Sequence, residues 1–202
     1  MESLRSFIAI ELPEEVRDAL NRLEDSLKLK GLASVARWVN PAGIHLTLKF
    51  LGNISSDKLA GIVQVMEQAA RKVAPFRLEV DGLGAFPDLK RPRVAWVGLE
   101  GEVDSLMRLQ QLIDSGLARL GFARESRSFT PHLTLARLRE GISAQERCSF
   151  GEMITSSPFQ ASQTLNADSI SLMKSTLTPS GALYSRLVLV KLGAVDLPTK
   201  PV

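Results

Sequence analysis

The chain contains two histidines, and both open the same tetrapeptide: His45-Leu46-Thr47-Leu48 and His132-Leu133-Thr134-Leu135. With this chain's use of leucine and threonine, a given histidine is followed by Leu-Thr-Leu by chance roughly one time in a thousand. Each copy alternates polar and apolar residues at the two-residue period of a strand with one buried face. The alternation puts His45 and Thr47 on one face, with Ile44, Leu46 and Leu48 on the other. His132 and Thr134 likewise share a face opposite Leu133 and Leu135. One such strand is an ordinary amphipathic strand. Two, holding every imidazole of the chain, predict similar half-sites that present one acid/base pair to a shared cleft.

The motifs lie a little under half the chain apart, and their surroundings recur in outline. Strands are expected at 6–12, 36–39, 44–51, 76–86 and 93–99, then at 132–138, 169–177 and 183–192. Helices are expected from Pro13 to about Lys30, stopped by Gly31, from a cap at Ser55 or Ser56, and from about Glu102 to Leu120, stopped by Gly121. The last two strands pair around a turn at 178–181, and the tail at 195–202 frays. This order predicts an α+β fold of two related lobes, each an antiparallel sheet with helices on its outer face. A chain of 202 residues can bury a sizeable core as one such bilobal domain spanning 1–202.

A single cysteine, Cys148, excludes an internal disulfide framework and fits a reducing cytoplasm. No neighbour in sequence marks it as an activated nucleophile. Residues 1–15 lack a signal-peptide pattern, and no run approaches the roughly 18 apolar residues of a membrane span, so a cytoplasmic protein without membrane partners is expected. The formal charge is only +3, but it is unevenly placed. Arg124, Arg127, Arg137 and Arg139 surround the second motif, and Lys90, Arg91 and Arg93 cluster in the middle. Such clusters suit a phosphate-bearing partner.

Two imidazoles titrating near neutrality can supply one base and one acid, which is what attack of water on a phosphodiester requires. The threonine hydroxyls can hold the non-bridging phosphate oxygens between them. The motifs lack the further His and Cys spacing of a zinc site, and there is no P-loop, so neither a metal nor another cofactor is expected.

The two His-x-Thr-x motifs, with x apolar, resemble those of the 2H phosphoesterase superfamily. The flanking strings FIAIELP, RWV, HLTLKFLG, PRVAWVG and PHLTLAR narrow the resemblance to the bacterial and archaeal RNA 2′,3′-cyclic phosphodiesterases, historically called 2′-5′ RNA ligases. The resemblance runs from about Ser6 to Val190. It implies a bilobal fold with pseudo-twofold symmetry and metal-independent hydrolysis of RNA 2′,3′-cyclic phosphate ends, or of small cyclic nucleotides, to 2′-phosphates. By the same resemblance His45 is the proton donor, His132 the proton acceptor, and Thr47 and Thr134 bind the phosphate. The arginine of an HxTxxR extension falls on Arg137, a further phosphate contact. Ideal alternation sets Arg137 on the opposite face from His132, so this assignment requires the strand to end, twist or bulge there. By parity Lys49 shares the His45 face and adds positive charge there; Arg37 and Phe7 are further candidates. Trp38, Phe50 and Trp96 are core aromatics or base-stacking platforms. Nothing in the sequence calls for an obligate protein partner, and a monomer is expected. Two other readings use the same residues: 2′-5′ RNA ligation by the reverse transesterification, and a non-catalytic module that binds nucleotides or RNA ends.

Overall fold

The leucines of the motifs decide which way the motif strands face. Leu46, Leu48, Leu133 and Leu135 are all buried, and burying each contributes about 1.5–3 kcal/mol. A one-residue slip would carry them to the other face and the polar residues inward. The structure, a computed structural model, describes residues 3–157, 159–179 and 181–193. Ser180 of the expected turn and the tail at 195–202 lie outside these.

Among the described residues, nine strands and four α-helices follow one another. They are β1 (Ser3–Glu11), α1 (Glu14–Leu27), β2 (Ala36–Trp38), β3 (His45–Ser55), α2 (Leu59–Ala70), β4 (Phe76–Phe86), β5 (Val94–Gly101) and α3 (Val103–Ala118). The chain continues through β6 (Leu133–Leu138), α4 (Ala144–Thr155), β7 (Gln160–Ala167), β8 (Ser169–Thr178) and β9 (Gly181–Lys191). They build two antiparallel sheets, ordered β3-β1-β8-β9 and β2-β6-β5-β4-β7. The fold is the expected two-lobed α+β arrangement, but the lobes are not successive pieces of chain. The first sheet takes β1 and β3 from the start and β8 and β9 from the end. The terminal hairpin crosses back to the sheet of the first motif.

Helix α1 follows Pro13, carries Glu14 and Glu15 in its first turn where the helix dipole favours acids, and buries Val16, Leu20, Leu23 and Leu27. It ends at Leu27, earlier than Gly31 implied; a wider turn over Lys28–Leu32 follows, and Gly31 sits in it at φ 96°. Helix α2 departs further from expectation. Neither Ser55 nor Ser56 caps it: a 3-10 turn over Ser56–Lys58 intervenes, and Lys58 stands at the cap position without a side-chain hydrogen bond. Helices α2 and α3 approach closely because residue 116 is glycine; a Cβ there would lie 2.5 Å from Val65 Cγ1.

One continuous core runs beneath both sheets and includes apolar residues from all four helices. A second, small cluster of Phe7, Ala9 and Met173 lies apart from it. No helix among the described residues is long and apolar enough to cross a membrane.

Candidate active site

Strand β3 forms one edge of the first sheet, β6 lies beside β2 in the second, and their Cα atoms approach within 8 Å. The two sheets therefore meet at the motif strands. Each histidine stands at the start of its strand and makes the same local contact. His45 Nδ1 lies 2.8 Å from the carbonyl of Gly43, and His132 Nδ1 lies 2.8 Å from the carbonyl of Thr130. A carbonyl can only accept, so Nδ1 donates in both rings and Nε2 is left as the nitrogen that exchanges protons.

Neighbouring strands build an aromatic setting for each ring. His45 stacks on Phe7 at 4.5 Å, and Tyr184 of β9 meets both edge-on at 5.0 and 5.2 Å. His132 meets Phe86 edge-on at 4.8 Å and lies 6.5 Å from Trp96. The Trp96 ring occupies the space that a side chain at Gly84 would fill, and its indole N–H is buried without a partner among the described residues. Burial in these settings pushes both imidazoles below their ordinary pKa, against the opposing effect of the carbonyl hydrogen bonds.

Nearby charges add smaller contributions of opposite sign at the two rings. Glu11, the cross-strand partner of His45, raises the His45 pKa, whereas the positive charge of Arg137 lowers that of His132 further. Glu11 is itself held: its Oε1 accepts from Ser171 Oγ at 2.5 Å and from Arg186 Nε at 2.9 Å. The hydroxyls of Thr47 and Thr134, on half-buried side chains, have no hydrogen-bond partner among the described residues.

Both motif strands bulge just past the threonine. In β3, Ala9 pairs with Thr47 and Ile8 with Lys49, so Leu48 is skipped. In β6, Trp96 pairs with Thr134 and Ala95 with Ala136, so Leu135 is skipped. The extra residue resets the alternation. Arg137 is thereby returned to the His132 face, as the resemblance required, and its charge is felt at that imidazole.

The equivalent bulge in β3 overturns the expectation for Lys49. Lys49 is turned away from His45 and is only 4% exposed. Its ammonium bonds Asp114 Oδ1 of α3 at 2.7 Å, the carbonyl of Ala123 at 2.7 Å and Glu125 Oε1 at 3.1 Å. Phe50, five residues after His45 as Arg137 is after His132, comes to the cleft side instead, 62% exposed with its ring 6.0 Å from Phe7.

The remaining candidates divide. Phe7 is stacked on His45, and Arg37 is the cross-strand partner of Arg137. Trp38 turns the other way, with its indole N–H donating to the carbonyl of Leu32 at 3.3 Å. The hydrogen bond from Cys148 to Glu152 pushes that thiol's pKa up, which reduces its nucleophilic form. Among the described residues, no three His, Cys, Asp or Glu side chains converge in a group that could hold a metal ion. Sequence reasoning missed Glu11, Phe86, Tyr184 and Arg186. All four lie on strands it had placed, but only the pairing register brings Glu11, Phe86 and Tyr184 to a histidine and Arg186 to Glu11.

The family described as LigT like Phosphoesterase matches the chain twice, over residues 10–96 and 97–184. The RNA 2′,3′-cyclic phosphodiesterase of Methanothermobacter thermautotrophicus is 31% identical over 94% of this chain and 99% of its own length. The protein of that name from Thermotoga maritima is 33% identical over 91% and 93%. Among solved structures, a Thermus thermophilus protein superposes with a TM-score of 0.78 at 29% identity, covering 94% of this chain and 98% of that one. LigT of E. coli, complexed with 3′-AMP, gives a TM-score of 0.77 at 25% identity, covering 96% of this chain and all of the other.

Proposed function

The chain belongs to the LigT-like phosphoesterase family, and on that premise we propose that it is an RNA 2′,3′-cyclic phosphodiesterase in which His45 is the acid and His132 the base. The observation that carries the assignment of roles is the opposite charge beside two otherwise matched imidazoles. Glu11 favours the protonated form of His45, and Arg137 favours the neutral form of His132.

In the reaction, His132 Nε2 takes a proton from water as its oxygen bonds to phosphorus. The P–O3′ bond breaks, and His45 Nε2–H delivers a proton to the departing O3′. The products are a 2′-phosphomonoester and a free 3′-hydroxyl. Thr47 and Thr134 donate their unpartnered hydroxyls to the non-bridging oxygens, and Arg137 offsets the charge that builds on them. Nδ1 donation to Gly43 and Thr130 keeps each ring aimed with Nε2 toward the reacting atoms. Exchange with solvent then returns the proton from His132 and reloads His45.

The reading extends to a monomer working in the cytoplasm on RNA ends or small cyclic nucleotides, without an obligate protein partner. The lone cysteine suits that reducing compartment. The continuous core supports treating 1–202 as one bilobal domain.

The direct experiment supplies a 2′,3′-cyclic-ended oligonucleotide to enzyme treated with EDTA. Formation of the 2′-phosphomonoester at an undiminished rate is expected. Loss of turnover that a divalent ion restores would refute the two-imidazole mechanism, a joined 2′-5′ product would favour ligation, and tight binding without product would leave only a binding module.

Arg137→Ala carries a second expectation. It should raise KM and, by removing the charge that depresses His132, move the acidic limb of the pH–rate profile to higher pH. Unchanged kinetics would return Arg137 to an ordinary surface residue.

A further inference from the structure

Two arginines face each other at the edge of the second sheet. Arg37 of β2 and Arg137 of β6 are cross-strand partners, and such partners share a face with Cβ atoms about 4.5–5.5 Å apart. That face is turned from the core, because their neighbours Ala36 and Ala136 are buried on the other. Both side chains are exposed, and among the described residues neither makes an ion pair or a side-chain hydrogen bond. Like charges directly opposed across a ladder are destabilising. The packing of β2 does not require an arginine at this position: Ala36 is buried, and Trp38 is bonded to Leu32. The repulsion becomes attraction once an anion lies along the pair.

Arg137 acts on His132 and is committed to the reacting phosphate, whereas Arg37 stands one strand further out, about 4.8 Å away. On an RNA end, the next anion after the cyclic phosphate is the phosphodiester on the 5′ side of the same nucleotide. A cyclic mononucleotide lacks it. We infer that Arg37 binds this upstream phosphodiester, so that the site prefers RNA ends to cyclic mononucleotides. This rests on the activity proposed above and adds to it a second phosphate subsite formed by the β2 edge.

The test compares the affinities of two product ligands, adenosine 2′-monophosphate and an ApA dinucleotide carrying a terminal 2′-phosphate, in the wild type, Arg37→Ala and Arg37→Lys. The wild type should prefer the dinucleotide, and that preference should shrink by about tenfold in Arg37→Ala, the scale of one charge-assisted hydrogen bond. Arg37→Lys should keep part of it, as a point charge without the paired donors. Added salt should erode the wild-type preference more than that of Arg37→Ala. The inference is overturned if the preference is the same in wild type and Arg37→Ala, or if the substitution weakens both ligands equally. Turnover of cyclic-ended substrates is assayed alongside. A wild type that hydrolyses none of them refutes the proposed activity, while the affinity ratio still decides the role of Arg37.

Discussion

Alanine in place of either His45 or His132 is expected to lower kcat by roughly 10²–10⁴-fold, the usual contribution of a positioned acid or base. The fold should survive, because each ring packs against aromatics on the cleft side while Leu46, Leu48, Leu133 and Leu135 anchor the strands from beneath. Circular dichroism and thermal melts check this directly. The double variant should lose less than the product of the single losses, since the two groups act in one proton-transfer step. In the wild type, kcat/KM should be bell-shaped in pH and centred on the acidic side of 6.5, because burial lowers both imidazoles. The alkaline limb belongs to His45, which must hold a proton. Glu11→Gln removes the charge that helps it do so, and that limb should move to lower pH. A shift of the opposite limb would mean that Glu11 acts on another group.

The second large effect concerns stability. Asp114→Ala leaves the buried ammonium of Lys49 without its shortest ion pair, and loss of one partner of a buried pair costs about 3–5 kcal/mol. Glu125, at 3.1 Å but half exposed, offsets part of this, so the lower end is expected. Replacing both partners, as Lys49→Met with Asp114→Ala, should recover much of the loss, since neither charge is then left buried. Denaturant unfolding measures each variant. If Lys49 instead served the phosphate, as strand parity implied, the result would be reversed: stability kept in Lys49→Met and activity lost.

Lys49 also marks where strand reasoning fails. Alternation from His45 correctly orients Leu46, Thr47 and Leu48, then breaks because Leu48 is an unpaired extra residue opposite Ile8 and Ala9. A bulge is a property of the pair of strands, and β3 alone carries no mark of it. In the second motif a break in the alternation was legible, since ideal pairing sets Arg137 on the far face; that the break is a bulge at Leu135 is settled only by the pairing with β5.

Helices α1, α2 and α3 were readable because their apolar stripes are regular. Helix α4 and strand β7 were overlooked. The capping box of Ser143 and Glu146 announces α4, but its buried face is reduced to Phe150, Gly151 and Ile154. Strand β7 reads QASQTLNA, with few apolar residues to show a period. The joining of β8 to β1 was beyond local pattern altogether, because it is made between residues some 160 positions apart, as in the bond from Ser171 to Glu11. It is this long-range pairing that brings Arg186 to Glu11 and Tyr184 to His45.

The central claim is that the two matched imidazoles have unlike roles, and changing the leaving group tests it most directly. A 2′,3′-cyclic phosphate with sulfur in place of the 3′ oxygen expels a thiolate, which needs no proton at the moment of cleavage because a thiol is far more acidic than an alcohol. Its hydrolysis should be nearly as fast in His45→Ala as in the wild type, and should remain crippled in His132→Ala, which still lacks the base that activates water. Rescue of His132→Ala with no rescue of His45→Ala would exchange the two roles, and rescue of neither would contradict the proton-transfer scheme.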